Sequence, residues 1–237
     1  MATEFNDATA DHKWSTAGNW SSGKPDSADA ITIDAGVTSL IIDEAASCLS
    51  FDATGTAGIT ISGTGTITCY GNFTLDANVT INTWYGSLRF STNACIFDPA
   101  GRNITGVASI SAQAGADLSF DDDVNLGSGH GLFVLNAGSS LTTNDHTITC
   151  GLFYDQAAVG AITLNLGTST INCTNVSFGS ATITKSTATE TINCTIIADT
   201  TFNFNTVTWG TVTITAEPTG ADTHTINGAA TFTVLNL

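Results

Sequence analysis

The tetrapeptide Thr170-Ile171-Asn172-Cys173 returns 21 residues later as Thr191-Ile192-Asn193-Cys194. Close variants occupy 66–69 and 147–150, and a degenerate copy occupies 225–228. A short strand that recurs about every 20 residues is typical of a solenoid, in which each coil buries its apolar face against its neighbour. The repeat therefore predicts an all-β stack of coils.

The isoleucine and the cysteine of each copy lie two residues apart, and positions i and i+2 of a strand share a face. Both side chains are predicted to point into the core, where a reduced cysteine behaves as a small hydrophobe. We therefore expect six reduced and inert cysteines rather than a disulfide framework. The predicted core ladder consists of Ile67, Cys69, Ile148, Cys150, Ile171, Cys173, Ile192 and Cys194.

The direction of the strands follows from the turns between them. The inward apolar positions from 192 to 214 occur in pairs with a step of two, and the steps between the last pairs are three, from Phe204 to Val207 and from Trp209 to Val212. A change of phase indicates a corner, so corners are predicted at Asn205-Thr206 and Gly210-Thr211, because Asn and Gly tolerate left-handed dihedrals.

Hairpin loops of two residues favour Asn-Gly or Asp-Gly, and the chain offers only Asn227-Gly228. A single-stranded parallel β-helix is therefore favoured over a sheet of hairpins, with the right-handed winding of parallel crossovers. About 21 residues per coil and a rise of about 4.8 Å predict roughly nine or ten coils. The middle, 84–146, is less regular and is expected to contain loops or bulges.

Residues 1–30 differ from the rest of the chain. They contain Trp14, Trp20 and a turn-rich stretch that ends in Lys24-Pro25-Asp26. Such a segment is predicted to be a loop-rich N-terminal cap or anchor that covers the first coil, since solenoids need their ends covered. The predicted organisation is a cap over 1–30 and a parallel β-helix over 31–237.

Charge excludes one class of partner. Twenty-one acidic residues face five basic ones, which gives a formal net charge of −16. Such a chain repels phosphate backbones, so nucleic-acid binding is not expected. The charge indicates solubility, with an acidic surface for a basic partner or for cations as the alternative. Neither a membrane span nor a secretion signal is visible, so we expect synthesis in the cytosol and no membrane association.

The sequence contains few motifs that are typical of catalytic or metal-binding sites. Asp121-Asp122-Asp123 lacks the alternating spacing of a calcium loop, so a solvated turn is favoured. Asp76 and Asp98 are 22 residues apart, as a glycan-cleaving carboxylate pair on adjacent coils would be, but chance explains the spacing equally well. The exposed aromatics expected for such a cleft are Trp84, Tyr85 and Tyr154, and the histidines, His12, His130, His146 and His224, show no metal-ligand spacing. No catalytic residue, cofactor or metal ligand is assigned.

One resemblance adds to this interpretation. The stretch from Leu164 to Thr174 resembles a repeat of bacteriophage virion and virion-associated β-helix proteins, over roughly 145–237 and more loosely over 30–85. The N-terminal segment, Lys13-Trp14 through Asn19-Trp20 to Pro25 and Asp29, is similar to the opening of phage and bacterial surface β-helices. The resemblance implies a structural or attachment role on a virus particle, often as a trimer. It supplies no catalytic motif.

The expected function is a non-enzymatic structural protein of a bacteriophage virion, as a head decoration or a fibre component. Its partners would be other virion proteins of the capsid or tail and further copies of the chain. It would be made in the host cytoplasm and located in the virion. The alternatives are a receptor-binding or glycan-degrading tail spike and a bacterial cell-surface adhesin.

Overall fold

The computed structural model describes residues 2–91, 94–134, 138–155, 160–178, 182–196, 200–216, 224–227 and 229–237. These residues form strands and one short 3-10 helix, Ala17–Asn19. The first nine strands are β1 Ala2–Phe5, β2 Ala30–Ile33, β3 Ser39–Ile42, β4 Ala46–Cys48, β5 Ser50–Asp52, β6 Thr60–Gly63, β7 Ile67–Cys69, β8 Phe73–Thr74 and β9 Thr80–Trp84. The middle of the chain contributes β10 Ser87–Phe90, β11 Cys95–Asp98, β12 Ser109–Ala112, β13 Asp117–Phe120, β14 Val124–Asn125, β15 Gly131–Val134, β16 Ser140–Thr142, β17 Thr147–Thr149 and β18 Leu152–Asp155. The last nine are β19 Ala161–Asn165, β20 Thr170–Cys173, β21 Asn175–Ser177, β22 Thr182–Lys185, β23 Thr191–Ile196, β24 Thr200–Asn203, β25 Thr208–Ala216, β26 His224–Asn227 and β27 Thr231–Asn236.

The strands stack into parallel sheets that form the sides of a solenoid of about eight turns. The first sheet has the order β1-β2-β5-β8-β11-β13-β16-β19-β22, and the second runs β4-β7-β10-β12-β15-β18-β21-β24-β26. The third side is divided into β3-β6-β9 and β14-β17-β20-β23-β25-β27. The predicted all-β class and parallel β-helix are confirmed, whereas the right-handed winding stays a prediction.

The turns are fewer than the nine or ten expected, because coils in the middle are longer than 21 residues. Phe73 pairs with Phe97 across 24 residues, and Phe97 pairs with Phe120 across 23. The extra residues lie in connections such as the turn at Ala100-Gly101, where both residues have positive φ. The expected loops of the middle therefore occur within a continuous stack.

The interior is built by alternation along each strand. Phe51, Phe73, Phe97 and Phe120 occupy one column of the first sheet and are all buried. The rings of Phe51 and Phe73 are stacked with their centroids 4.5 Å apart. Threonine fits the intervening outward positions, because its branched Cβ packs on a pleated surface and its hydroxyl contacts water.

The predicted ladder residues all lie inside the coil. Ile148, Ile171 and Ile192 are register partners on β17, β20 and β23, and Cys173 is the register partner of Cys194. On the second sheet Ile67 is paired with Ala46, and Cys69 with Cys48. None of the six cysteines forms a disulfide, and all six are buried.

One of the two predicted corners is wrong. Asn205 lies in a turn with a φ of 57°, as the change of phase indicates. Gly210, however, lies inside β25 rather than at a corner. A Cβ atom at Gly210 would lie 2.2 Å from the carbonyl oxygen of Glu190, so the glycine is required by a close approach of two coils and not by a turn.

The N-terminal segment is partly integrated into the stack. β1 pairs in parallel with β2, so the first sheet already includes residues from the predicted cap. The ring centroids of Trp14 and Trp20 are 4.8 Å apart, and the Trp20 Nε1–H donates to the Trp14 carbonyl over 2.9 Å. Both indoles are buried. Their role as a cap or anchor stays a prediction.

Candidate functional site

The third side of the solenoid is interrupted between β9 and β14. In the described residues 99–108 the coil contains no strand, and only a bridge between Asn103 and Asn125 continues the pairing. Two polar depressions flank this coil, one of about 320 Å³ beside β9 and one of about 280 Å³ beside β14. Both are lined by Gly101, Arg102 and Asn103, so we treat them together as the Arg102 cleft.

A tight turn positions the centre of the Arg102 cleft. The Asp98 Oδ1 accepts a hydrogen bond from the Ala100 amide over 2.8 Å, and the Arg102 amide donates to the Pro99 carbonyl over 2.9 Å. Two residues further on, the side chain of Ile104 is buried in the core, which holds the coil in place without a strand.

The polar groups of the cleft are mostly satisfied by their neighbours. The Asn125 Nδ2 donates to the Asn103 Oδ1 over 2.8 Å, and the Asn125 Oδ1 accepts from the Gly127 amide over 3.0 Å. The Arg102 Nε is buried without a hydrogen-bond partner in the structure. A guanidinium has five N–H donors, and the buried Nε–H of Arg102 is one that no described neighbour uses.

An acidic group lies at one end of the cleft. Asp122, Asp123 and His146 bring one potential ligand atom each to within 4.8 Å of one another. The Asp123 Oδ1 is 3.6 Å from the His146 Nδ1 and accepts a hydrogen bond from the Thr147 amide over 2.7 Å. The run at 121–123 thus stabilises a connection of the coils. Sequence spacing did not indicate the proximity of His146, because the two segments belong to successive coils.

Asp76 and Asp98, whose spacing would suit a glycan-cleaving carboxylate pair, both accept hydrogen bonds within turns. The Asp76 Oδ2 accepts from the Gly55 amide over 2.9 Å and its Oδ1 accepts from the Asn78 amide over 3.0 Å. The Gly55 hydrogen bond is the main reason that the pKa of Asp76 lies below its usual value, and Arg102 adds a smaller effect. Asp98 caps the turn at Ala100. Both carboxylates therefore have a structural explanation.

The exposed aromatics expected for a glycan cleft are mostly not exposed. Trp84 was predicted to be available but is fully buried, and its Nε1–H donates to the Gly65 carbonyl over 2.7 Å inside the coil. Tyr154 is partly buried, and burial raises the pKa of its phenol. Tyr85 alone of the three is largely exposed, at 63%.

A buried ion pair was not predicted from the sequence. The Lys185 Nζ lies 2.6 Å from the Glu190 Oε2, and the two side chains are 4% and 0% exposed. The Glu190 Oε1 accepts from the Gly210 amide over 2.8 Å, and the Lys185 ammonium lies 5.4 Å from the centre of the Trp209 ring. The pair therefore links Lys185 at the end of β22 to Glu190, the residue before β23, and through it to Gly210 on β25. Asp199, Glu217 and Asp222, the other acids of this region, lie outside the described residues, as does the side chain of His224.

The remaining histidines do not form a site in the part of the chain that the structure describes. The His12 Nδ1 is 2.5 Å from the Asp7 Oδ2 within the N-terminal segment. His130 lies in the connection before β15.

Comparison with known protein families, with curated proteins and with solved structures gives no match. None of the described residues belongs to a helix that is long and apolar enough to cross a membrane.

Proposed function

We propose that the chain is a non-enzymatic structural protein of a bacteriophage virion, as a head decoration or a component of a fibre. The observation that supports this proposal is the parallel stack, in which two nine-stranded sheets enclose a single buried core that extends from Phe5 on β1 to Ile214 on β25. The viral assignment rests on the resemblance of the repeat at 164–174 and of the N-terminal segment to phage β-helices.

The mechanism is mechanical. Each coil contributes apolar side chains to columns that run along the axis, and each coil hydrogen-bonds to the next through its backbone. To bend such a rod, both the hydrogen bonds and the packing of adjacent coils must be disturbed, which makes the stack stiff. The chain would be made in the host cytoplasm and carried in the virion. There it would contact capsid or tail proteins and further copies of itself, with a trimer as the arrangement that the resemblance implies.

The direct test is quantitative mass spectrometry of particles purified from lysates of cells that make the chain. The proposal predicts this chain at a fixed copy number per particle, retained through density-gradient purification. Loss of the chain from intact particles during purification, or a trace amount that varies between preparations, would overturn it.

A second experiment addresses the predicted anchor. Deletion of residues 1–30 is expected to abolish particle attachment while the remaining rod stays folded. Because β1 pairs with β2, the deletion also exposes an edge of the first sheet. Circular dichroism therefore has to show β-structure in the truncated chain. A folded truncation that still attaches would refute the anchoring role.

The Arg102 cleft supports one second candidate, a receptor-binding role toward a glycan. Its walls present amide and hydroxyl groups, and the Arg102 Nε has no partner. Loss of cell or glycan binding in Arg102→Ala, with binding retained in Lys24→Ala, would favour this role. Equal binding by both variants and the unmodified chain would exclude the cleft.

A further inference from the structure

Two cysteines on successive coils face each other inside the third sheet. Cys173 on β20 and Cys194 on β23 are register partners, and their Sγ atoms are 3.7 Å apart. Register partners in a sheet lie about 4.8 Å apart, which is within the Cα separation that a disulfide tolerates. Closure requires a rotation about the Cα–Cβ bonds that brings the sulfurs from 3.7 Å to about 2.05 Å.

A depression in the surface leads to Cys173. A small cleft of about 130 Å³ is lined by Cys150, Cys173, Thr174 and Thr195, among others. The exposed fraction is 5% for Cys173 and 1% for Cys194. A small oxidant can therefore reach Cys173 first, and Cys194 lies directly behind it.

We propose that Cys173 and Cys194 are a latent disulfide, reduced as synthesised and closed by a small peroxide, which then locks two adjacent coils of the solenoid covalently. The inference concerns the rod itself and does not depend on which particle carries it.

The chemistry balances with hydrogen peroxide as the oxidant. The Cys173 thiolate attacks one peroxide oxygen, the O–O bond breaks, and a sulfenic acid and one water form once the thiol proton is counted. The Cys194 thiolate then attacks the Cys173 sulfur, the S–O bond breaks, and the leaving hydroxide takes the Cys194 proton as a second water. The two sulfurs lose two electrons in total, and the peroxide is reduced to two waters.

The environment of the two thiols determines how fast the disulfide forms. The hydrogen bond with Cys194 and the burial of the thiol both raise the pKa of Cys173, so little thiolate is present at neutral pH. Burial likewise raises the pKa of Cys150, the neighbour on the preceding coil, to about 12. Closure is therefore expected to be slower than the oxidation of free glutathione by the same peroxide.

The other cysteines provide internal comparisons. Cys48 and Cys69 are also register partners, but both are 0% exposed, so their oxidation should lag behind. Cys95 lies on β11 in the first sheet, on a different side of the coil, and cannot reach Cys173. A single protein sample thus contains the pair beside the cleft, a fully shielded pair and a thiol out of reach.

The test is peptide mapping of the intact, folded chain after incubation with hydrogen peroxide, followed by denaturation, alkylation and proteolysis without reduction. The expected result is a cross-linked peptide pair that contains Cys173 and Cys194, lighter than the sum of the two reduced peptides by two hydrogen atoms, while Cys95 is alkylated. Recovery of Cys173 and Cys194 as separate alkylated or over-oxidised peptides, or linked to any other cysteine, overturns the proposal.

Two further measurements complete the design. In Cys194→Ser the link is lost and Cys173 is recovered as an oxidised single thiol, whereas Cys95→Ser retains the link; Cys194→Ala replaces the serine variant if that chain does not fold. Closure should raise the midpoint of thermal unfolding by on the order of 5 °C, reversibly with dithiothreitol. A closed bond that leaves the midpoint unchanged would refute the locking of the coils.

Discussion

Glycines mark the places where one coil passes closest to the next. Gly65 follows Glu44, and Gly86 follows Gly65, at intervals of 21 residues along one edge of the stack. A Cβ atom at Gly65 would lie 1.9 Å from the Glu44 carbonyl oxygen, and one at Gly86 would lie 1.7 Å from that of Gly65. These glycines are required by the distance between backbones.

Substitution of Gly86 by alanine tests this close approach. The new methyl group overlaps a backbone oxygen that cannot move without the coil, so the free energy of unfolding should fall by about 3 kcal/mol. Gly129→Ala is the matched control, because a Cβ atom at Gly129 would meet nothing within 4 Å. Denaturant titration should show a change of no more than about 0.5 kcal/mol for the control. Equal stability of the two variants would contradict the close approach at Gly86.

The buried ion pair predicts a second residue-scale effect. Glu190→Ala leaves the Lys185 ammonium buried without its counter-charge, which should cost about 3–5 kcal/mol of unfolding free energy. The more exposed pair formed by Lys24 and Glu44, whose charged atoms are 2.9 Å apart, provides the comparison. Lys24→Ala should cost about 1 kcal/mol or less. Similar losses in both variants would show that burial of the first pair has no energetic consequence.

The hydrogen bonds of Asp11 predict how the stability of the fold changes in acid. Its carboxylate accepts hydrogen bonds from Thr16, Asn19 and the Lys13 amide, of which that from the Thr16 hydroxyl contributes most to holding the pKa of Asp11 well below its usual value. A lowered folded-state pKa contributes stability above the unfolded pKa, and this stability is lost as the pH falls. The unfolding midpoint should therefore begin to drop below about pH 5 and continue to drop as the pH falls below about 3, and the drop should be smaller in Asp11→Asn. An identical pH profile in the variant would rule out this contribution.

Single residues were only partly predictable from the sequence. The inward direction of Ile171 and Cys173 follows from alternation, because a strand fixes which side chains share a face. The burial of Trp84 and the position of Gly210 inside a strand depend on a carbonyl of the preceding coil. No local pattern reports such a contact, since the partner lies about 20 residues away.

At the scale of the element, the column of phenylalanines on the first sheet holds the strands in register. Phe97 on β11 packs between Phe73 and Phe120, with ring centroids 5.9 Å and 6.1 Å away. Ile96, the preceding residue, faces outward on the same strand. Strand β11 thus carries a large apolar residue at an interior position, Phe97, and another at an exterior position, Ile96.

Truncation of Phe97 to alanine should lower the free energy of unfolding by about 3–5 kcal/mol, because a cavity opens between two coils that cannot collapse independently. Ile96→Thr should change it by less than about 1 kcal/mol, since threonine suits an exposed strand position. Urea titration of both variants measures the difference. A small loss for Phe97→Ala would show that the column does not hold the strands together.

The strands were predictable where the repeat is regular and not where it is irregular. Those that carry Thr-Ile-Asn-Cys, β20 and β23, follow directly from the sequence. The strands between 84 and 146 do not, because the connections there vary in length and shift the phase of the apolar positions. The interruption of the third side at Arg102 belongs to the same irregular stretch. Only the pairing of the coils in the structure shows it, because the sequence does not indicate which residues face each other there.

At the scale of the whole molecule, a stack of parallel coils separates stability from function. The core needs only that each coil repeat the inward positions, so the outward positions are free to vary. The surface carries the net charge of −16, which hinders edge-to-edge association of β-proteins. The sequence predicts this architecture well because it is periodic, and it predicts the candidate site poorly because the Arg102 cleft arises where the period fails.

The central claim is that successive coils stack in parallel and in register. Thr32, Ser119, Thr142 and Asn165 face outward on the first sheet, and the last three are direct register partners on consecutive coils. Spin labels attached through a genetically encoded, non-cysteine amino acid at Thr32 and at each of the other three positions in turn give three distances by pulsed electron resonance. The distances should lengthen by close to one coil rise, about 4.8 Å, from Ser119 to Thr142 and again from Thr142 to Asn165. Distances that shorten, alternate or stay constant along this series would contradict the parallel stack.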